Sequence, residues 1–183
     1  MAFEAYLYIQ GVNGDSTSGI GQNPPTEVDA PHKRPIEIKT YGLNIEMPLV
    51  ENRSATGAIT VGRANFADFE TSKSLDVSTA SLLFFCLSGK HIDKVVLAIF
   101  RRTGEGDGDD KPTLFMSALY EHVVITEVGV SGSGEEIPSE TLKFTYSDVK
   151  YTYYKTDPKT GKTTGQSATF NWHRVENSGD KVG

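Results

Sequence analysis

The sequence predicts a mainly β domain, an antiparallel β-barrel or sandwich flanked by one short α-helix. Three observations support this fold class. Residues 3–10 alternate between two sets of side chains with the period of a half-buried strand. Similar strand-forming segments recur between turns rich in glycine, proline and aspartate. Residues 82–87, in contrast, form one continuous apolar run shortly before Gly89, which is typical of a short helix ended by a left-handed glycine.

Length and charge limit the classes of protein to which the chain can belong. Its 183 residues predict a single domain over 1–176 with a flexible tail over 177–183. A net charge of -6 argues against a nucleic-acid partner, since phosphate binding needs a clustered excess of Lys and Arg. No apolar window approaches the length of a membrane span, so we expect no membrane insertion. The first ten residues lack the basic start of a signal peptide.

Five segments are predicted before the helix. They are a strand at 3–10, a long loop at 11–35, a second strand at 36–47 with a bulge or kink at Gly42, an extended arm or loose hairpin at 48–62, and a third strand at 64–73. The first loop is longer than most connections inside a compact domain. We therefore expect it to be either mobile or an interaction element.

The helix is predicted from its two ends and its apolar interior. Asp76 or Ser78 can cap the first turn, because a short side-chain oxygen accepts hydrogen bonds from the free amides that follow. Gly89 is placed to end the helix. Since 82–87 are all apolar, no face of the helix is intended for water. The helix must be covered on more than one side, and its own sheet and a second chain are the two candidates.

Four strands are predicted after the helix. They are 94–102, whose core is apolar on both faces and therefore covered twice; 113–130, as one strand or two collinear ones; 141–154, with a change of phase at a bulge at Ser147–Asp148; and 167–173. In the third of these the inward set is Leu142, Phe144 and Tyr146, then Val149, Tyr151 and Tyr153. In the last, Ala168, Phe170 and Trp172 share one face.

The residues do not predict catalysis or metal binding. No serine lies in a G-x-S-x-G turn, and the four histidines share no metal-ligand spacing with each other or with Cys86. Cys86 lies in an apolar run and is predicted to be a small core residue. Asp107, Asp109 and Asp110 are predicted to form a solvated turn rather than a calcium loop. We therefore expect no enzyme, no catalytic residues, no metal and no cofactor.

Aromatic side chains leave two functions open. Tyr146, Tyr151, Tyr153, Tyr154, Phe170 and Trp172 lie on alternating strand positions. Such residues form a core or a subunit interface more often than a ligand groove. A small-ligand or carbohydrate-binding β-barrel is the alternative that they support.

Four segments, taken in order, share a pattern with one known family. They are MAFEAYLYIQGVNGDST, KSLDVSTASLLFFCLSGKHIDKVVLAIFR, SETLKFTYSDVKYTY and KTGKTTGQSATFNWHRVEN. Together they resemble the haemolysin co-regulated protein (Hcp) family, the tube proteins of the bacterial type VI secretion system. The resemblance covers nearly the whole chain.

The resemblance implies compact barrels that form hexameric rings, which stack into a hollow tube that carries or guides effectors. The implied partners are identical copies, a spike protein, a sheath and the secreted effectors. A subunit of this kind is made in the cytoplasm and secreted through its own machine without a signal peptide.

Two sets of site residues follow from the resemblance. In the family the loop after the second strand reaches toward the next ring, which implies stacking contacts from Leu49, Val50, Glu51, Asn52 and Arg53. A ring also offers the helix its second cover. The subunit-interface residues expected there are Leu82, Leu83, Phe84, Phe85 and Leu87.

Overall fold

The computed structural model describes residues 3–17, 25, 34–49, 62–101, 112–134, 137–157 and 163–182. Three predictions from the sequence lie outside these residues. They concern most of the loop at 11–35, the acidic turn with Asp107, Asp109 and Asp110, and the stacking residues Val50, Glu51, Asn52 and Arg53.

Strands dominate the described part of the chain, which confirms the predicted fold class. The elements are β1 Phe3–Ile9, β2 Ile36–Ile38, β3 Thr40–Gly42, β4 Ile45–Glu46, β5 Asn65–Phe66, β6 Phe69–Ser74, α1 Thr79–Ser88, β7 His91–Arg101, β8 Thr113–Ser131, β9 Ser139–Thr145, β10 Asp148–Thr156, β11 Thr163–His173 and β12 Ser178–Val182. The segment 113–130, predicted as one strand or two, is one long strand.

One antiparallel sheet runs in the order β12-β11-β10-β8-β7-β1-β2. β8 pairs with β7 along one edge. Along its other edge it pairs with β10 through its first half and with β9 through its second half. β9 in turn pairs with β6, and β6 with β3. The two branches that meet at β8 enclose the core between them, as the layers of a sandwich do.

β7 is covered on both faces, as its apolar sequence predicted. Alternate residues of the strand point in opposite directions. Val95, Leu97 and Ile99 belong to the main core, which lies between the two branches. Val96, Ala98 and Phe100 join Tyr6 and Tyr8 in a second buried cluster. The sheet therefore buries apolar side chains on both sides near its centre.

The chain turns a corner at Tyr146–Ser147, one residue before the bulge predicted at Ser147–Asp148. β9 ends at Thr145 and pairs with β6 and β8, whereas β10 starts at Asp148 and pairs with β8 and β11. The change of side-chain phase was predicted correctly, but its cause is a change of strand partners. One inward residue was assigned wrongly: Tyr153 is 46% exposed. It lies toward the far end of β10, beyond the main core, and its ring meets Phe115 edge-on with centroids 6.2 Å apart.

The C-terminal residues form a strand where the sequence predicted a frayed tail. β12 pairs with β11 in a regular register that includes Asn171↔Asp180 and His173↔Ser178. The intervening turn contains Asn177 at φ 53°, a left-handed conformation that asparagine tolerates better than most residues. β12 is held by its neighbour's backbone rather than by apolar side chains, since all five of its residues are exposed.

Candidate functional site

Helix α1 has one buried side and one exposed apolar side. Leu82 and Phe85, three residues apart, point into the core and are buried. Phe84 and Leu87 point outward and are 64% and 87% exposed, and Leu83 is 37% exposed. The structure thus divides the five predicted interface residues into two whose side chains anchor the helix and three whose side chains are exposed.

Two further apolar residues are exposed just before the helix. Leu75 and Val77 lie in the turn between β6 and α1, and Val77 is 60% exposed. We call Leu75, Val77, Leu83, Phe84 and Leu87 together the α1 patch. Sequence reasoning missed Leu75 and Val77 because the polar residues around them give no periodic pattern. Contiguous exposed apolar surface commonly marks a contact with another protein.

The start of α1 is fixed by Asp76 rather than by Ser78. Ser78 occupies the N-cap position, but its side chain makes no capping hydrogen bond. The Asp76 carboxylate accepts from the Ser78 N–H at 2.9 Å, and the Asp76 carbonyl accepts from the Thr79 N–H at 3.2 Å. Asp15 holds the same turn by accepting from the Val77 N–H at 3.1 Å.

The end of α1 is fixed by Gly89, as predicted. Gly89 adopts φ 60° and ψ 30°, the left-handed conformation that glycine takes at low cost. The Gly89 and Lys90 N–H groups donate to the carbonyls of Cys86 and Phe85 at 3.3 and 3.1 Å. The Lys90 ammonium also lies 4.1 Å from the centroid of the Phe85 ring. Both ends of the helix are therefore held, and its outer face has a fixed position.

The predicted stacking loop is described only at its ends. Leu49, which belongs to it, is 63% exposed. The Gly62 N–H donates to the Pro48 carbonyl at 2.9 Å, so the two ends of the segment meet. The exposed side chains of Ile45 and Met47 lie next to this base in sequence.

Most of the aromatic residues considered for a ligand groove pack into the protein. Tyr146 is buried and packs on Tyr120 with ring centroids 4.9 Å apart. Tyr151 stacks on Phe170 at 5.6 Å, and Trp172 stacks on Phe66 at 6.4 Å. Burial raises the pKa of the Tyr120 phenol, and it raises the pKa of the Tyr146 phenol to about 12. Both therefore stay neutral near pH 7. These rings are used for packing.

A recess of about 750 Å³ lies beside these rings. Phe66, Tyr146, Arg63 and Arg174 contribute to its lining. The guanidinium of Arg174 is already occupied, since it donates to the carbonyls of Tyr146 and Phe66 and to the Thr145 hydroxyl. It also lies 4.8 Å from the Tyr146 ring centroid. The arrangement ties β5, β9 and the β11–β12 turn together.

Ionisable side chains meet at the start of β10. The Asp148 carboxylate hydrogen-bonds to Nδ1 of His173, and its other oxygen lies 3.9 Å from Nε2 of His122. The hydrogen bond to Asp148 raises the pKa of His173, and the charges of Asp148, Glu176 and Asp180 raise it further.

Among the described residues, no group of three or more His, Cys, Asp or Glu side chains could hold a metal ion. None of the helical structure described has the length and apolar character needed to cross a membrane.

Comparisons with known proteins point to one family. A family model described as type VI secretion system effector, Hcp, matches residues 6–153. The protein named hcp1 of Pseudomonas aeruginosa is 28% identical over 118 residues, which cover 63% of this chain and 68% of that protein.

Solved structures share the fold. A type six secretion system protein superposes with a TM-score of 0.77 at 24% identity, covering 98% of this chain and 100% of that one. Hcp1 from Salmonella typhimurium gives a TM-score of 0.68 at 20% identity with the same coverage. A type VI secretion system effector from Yersinia pestis gives 0.61 at 22% identity, covering 92% of this chain and 98% of that one.

Proposed function

Because this chain belongs to the Hcp family and is a tube subunit of the type VI secretion system, we propose that it forms hexameric rings that stack into a hollow tube. The tube carries or guides effectors, and its other partners are the spike protein and the sheath. The subunit is made in the cytoplasm and secreted through the type VI machine. Its role is structural and includes no catalytic step.

The α1 patch is the observation that most supports ring formation. The sheet covers one side of the helix through Leu82 and Phe85, while Phe84 and Leu87 remain in water. Covering an exposed side chain of this size stabilises a contact by about 1.5–3 kcal/mol. A ring closes when one patch on each subunit binds a different patch on the next. We propose that the α1 patch is one of these two surfaces.

Ring stacking is assigned to the loop between β4 and β5. The proposal names Leu49, Val50, Glu51, Asn52 and Arg53 as contacts to the next ring. Leu49 supports it because a large apolar side chain lies in water at the point where the loop begins. The meeting of Pro48 with Gly62 gives the loop a closed base, so the residues between them can change in number without separating β4 from β5.

Deletion of Val50–Gly57 separates the two kinds of contact. We expect the purified variant to form single rings of about six subunits and no tubes, because the α1 patch is intact and the stacking residues are gone. Native mass measurement counts the subunits, and electron microscopy of the same sample distinguishes rings from tubes. A matched control replaces the deleted residues by a glycine-serine segment of equal length.

Two outcomes would contradict the proposal. Tubes of normal length from the deletion variant would remove the stacking role of the loop. A full-length chain that stays monomeric while binding a small sugar or other ligand would instead support the ligand-binding β-barrel.

A further inference from the structure

A buried lysine lies beneath the start of α1. Lys73, near the end of β6, has no exposed side-chain surface. Its ammonium donates to the Asp76 carboxylate at 2.8 Å, the Ser74 carbonyl at 2.9 Å and the Glu140 carboxylate at 3.3 Å, and the Thr79 hydroxyl oxygen lies 3.5 Å away. Lysine is almost never fully buried unless its charge is paired.

Glu140 is the second buried charge of this cluster. It lies directly opposite Lys73 in the β6–β9 pair, and its side chain is also fully buried. Its Oε2 atom accepts from the Thr79 hydroxyl at 2.6 Å as well as from Lys73. Its other oxygen, Oε1, is buried without a hydrogen-bond partner among the described residues. All of the hydrogen bonds that the carboxylate accepts from described residues therefore come from Lys73 and Thr79.

The cluster connects the sheet to the helix. Lys73 and Glu140 lie on the paired strands β6 and β9. Asp76 lies in the turn before α1, and Thr79 is the first residue of α1. Glu140 and Thr79 are separated by 61 positions in the chain, so their hydrogen bond joins elements that are distant in sequence. Each contact depends on direction as well as distance, since donors and acceptors must be aligned.

Stability alone does not account for two buried charges. The free energy needed to desolvate an ion pair can equal the free energy gained from its attraction. Apolar residues of similar volume can therefore often replace such a pair without lowering the stability of the protein. Orientation is a different requirement. Apolar burial is non-directional, and α1 has only Leu82 and Phe85 as buried anchors on a single face. The apolar contacts of these two side chains and of the partly buried Cys86 beside them do not by themselves fix the rotation of the helix about its axis.

We propose that Lys73 is a positioning residue for assembly, which acts through Glu140, Asp76 and Thr79 to set the angle of α1. This angle determines where Phe84 and Leu87 lie relative to a neighbouring copy. The inference rests on the proposed use of the α1 patch as a ring contact. It assigns a role to a residue that the sequence alone placed in a strand.

Replacing both buried charges tests this role without leaving one charge unpaired. In the variant K73M/E140L we expect the midpoint of urea unfolding, measured on dilute monomer, to stay equal to that of the unchanged chain or to rise. Ring association, measured by sedimentation equilibrium, should weaken at least about tenfold because the α1 patch no longer has one orientation. Hydrogen exchange of the α1 amides should become faster.

The chain offers a matched control on the same sheet. Lys143 and Glu127 also form a cross-strand pair, with Nζ and Oε2 3.1 Å apart, but their side chains are 32% and 52% exposed. K143M/E127L makes the same chemical change away from α1. Ring association of this control should equal that of the unchanged chain.

A second variant keeps the test informative should K73M/E140L not fold. T79V removes only the hydroxyl that donates to Glu140 and preserves the side-chain shape. We expect folded protein whose rings associate several-fold more weakly. Unchanged association in a folded K73M/E140L or T79V variant would overturn the inference. Failure of the unchanged chain to form rings would instead remove the proposed function, and the inference with it.

Discussion

His173 and Asp148 face each other across the β10–β11 pair, and their hydrogen bond makes this pairing sensitive to pH. The pKa of His173 is raised above 6.5 because the Asp148 carboxylate favours the protonated ring. A raised pKa means that the folded state binds the proton more tightly than the unfolded state. The stabilisation is therefore complete below pH 6.5 and is lost as the pH rises through the raised pKa.

Removing the Asp148 charge should bring the pKa of His173 back toward its ordinary value. In D148N we expect the pKa of His173 to fall toward 6.5, because both the charge-assisted hydrogen bond and the charge are lost. Titration of the imidazole signals by NMR measures this change. E176Q is the control, since it removes a charge but no hydrogen bond to His173, and it should lower the pKa of His173 by less. Equal effects of the two variants would contradict the assignment of the main cause to Asp148.

Individual residues were predictable where their chemistry is local. Gly89 was identified as the end of the helix because a left-handed residue after an apolar run is a local signal. The sequence left Asp76 and Ser78 open as caps, and only the geometry assigns the backbone contact to Asp76. Lys73 and Glu140 could not be predicted as buried, because charged residues in strands usually face water and their partnership depends on strand register.

At the level of elements, β12 depends on a close contact that only glycine permits. A Cβ atom at Gly179 would lie 2.1 Å from the Asn171 carbonyl oxygen and 2.6 Å from Cε3 of Trp172. Both distances are far below van der Waals contact, and the first involves backbone that cannot move alone. β12 therefore lies against β11 only because residue 179 has no side chain.

An alanine at this position should detach the C-terminal strand. We expect G179A to separate β12 from β11 and to destabilise the protein by about 1–3 kcal/mol, the range found for overpacking. Hydrogen exchange of the β11 and β12 amides should become faster by a larger factor than that of the β7 amides, whose exchange follows the global stability. The control is G129A in β8, where the added Cβ would lie 4.0 Å from Thr141. If the β12 amides of G179A kept their full protection from hydrogen exchange, the close contact between residue 179 and β11 would be one that can relax, which contradicts the prediction.

Elements were predicted well where their apolar residues recur with a strong period. They were predicted poorly where an element exists only because its backbone pairs with a neighbouring strand. Helix α1 and the two-sided strand β7 follow from their own residues. β12 has the sequence SGDKV, which has no apolar alternation, so its existence depends on the backbone of β11. A bulge was predicted at Ser147–Asp148 beside the corner at Tyr146–Ser147, because a change of strand partners and an inserted residue shift the side-chain phase in the same way.

For the whole molecule, the fold class and the family were accessible from sequence, whereas the branching of the sheet was not. β8 pairs with three strands, and no local pattern reveals which half of a long strand meets which partner. The candidate assembly surface was predicted in part. A helix that is apolar on every side indicates that two surfaces pack against it. Which side chains face the sheet and which face outward follows from the packing of Leu82 and Phe85. The exposed side is the one that we propose a second copy covers.

Ring formation as we propose it depends on a second copy of the chain covering the α1 patch. Sedimentation equilibrium of the unchanged protein beside the variant F84D/L87D tests this most directly, with V175D as a control that places a charge on an exposed residue outside the patch. We expect rings from the unchanged chain and from V175D, and a folded F84D/L87D whose association is at least about 30-fold weaker, as for loss of an interface hot spot. Rings of equal strength from F84D/L87D, or a monomeric unchanged chain at high concentration, would contradict the account.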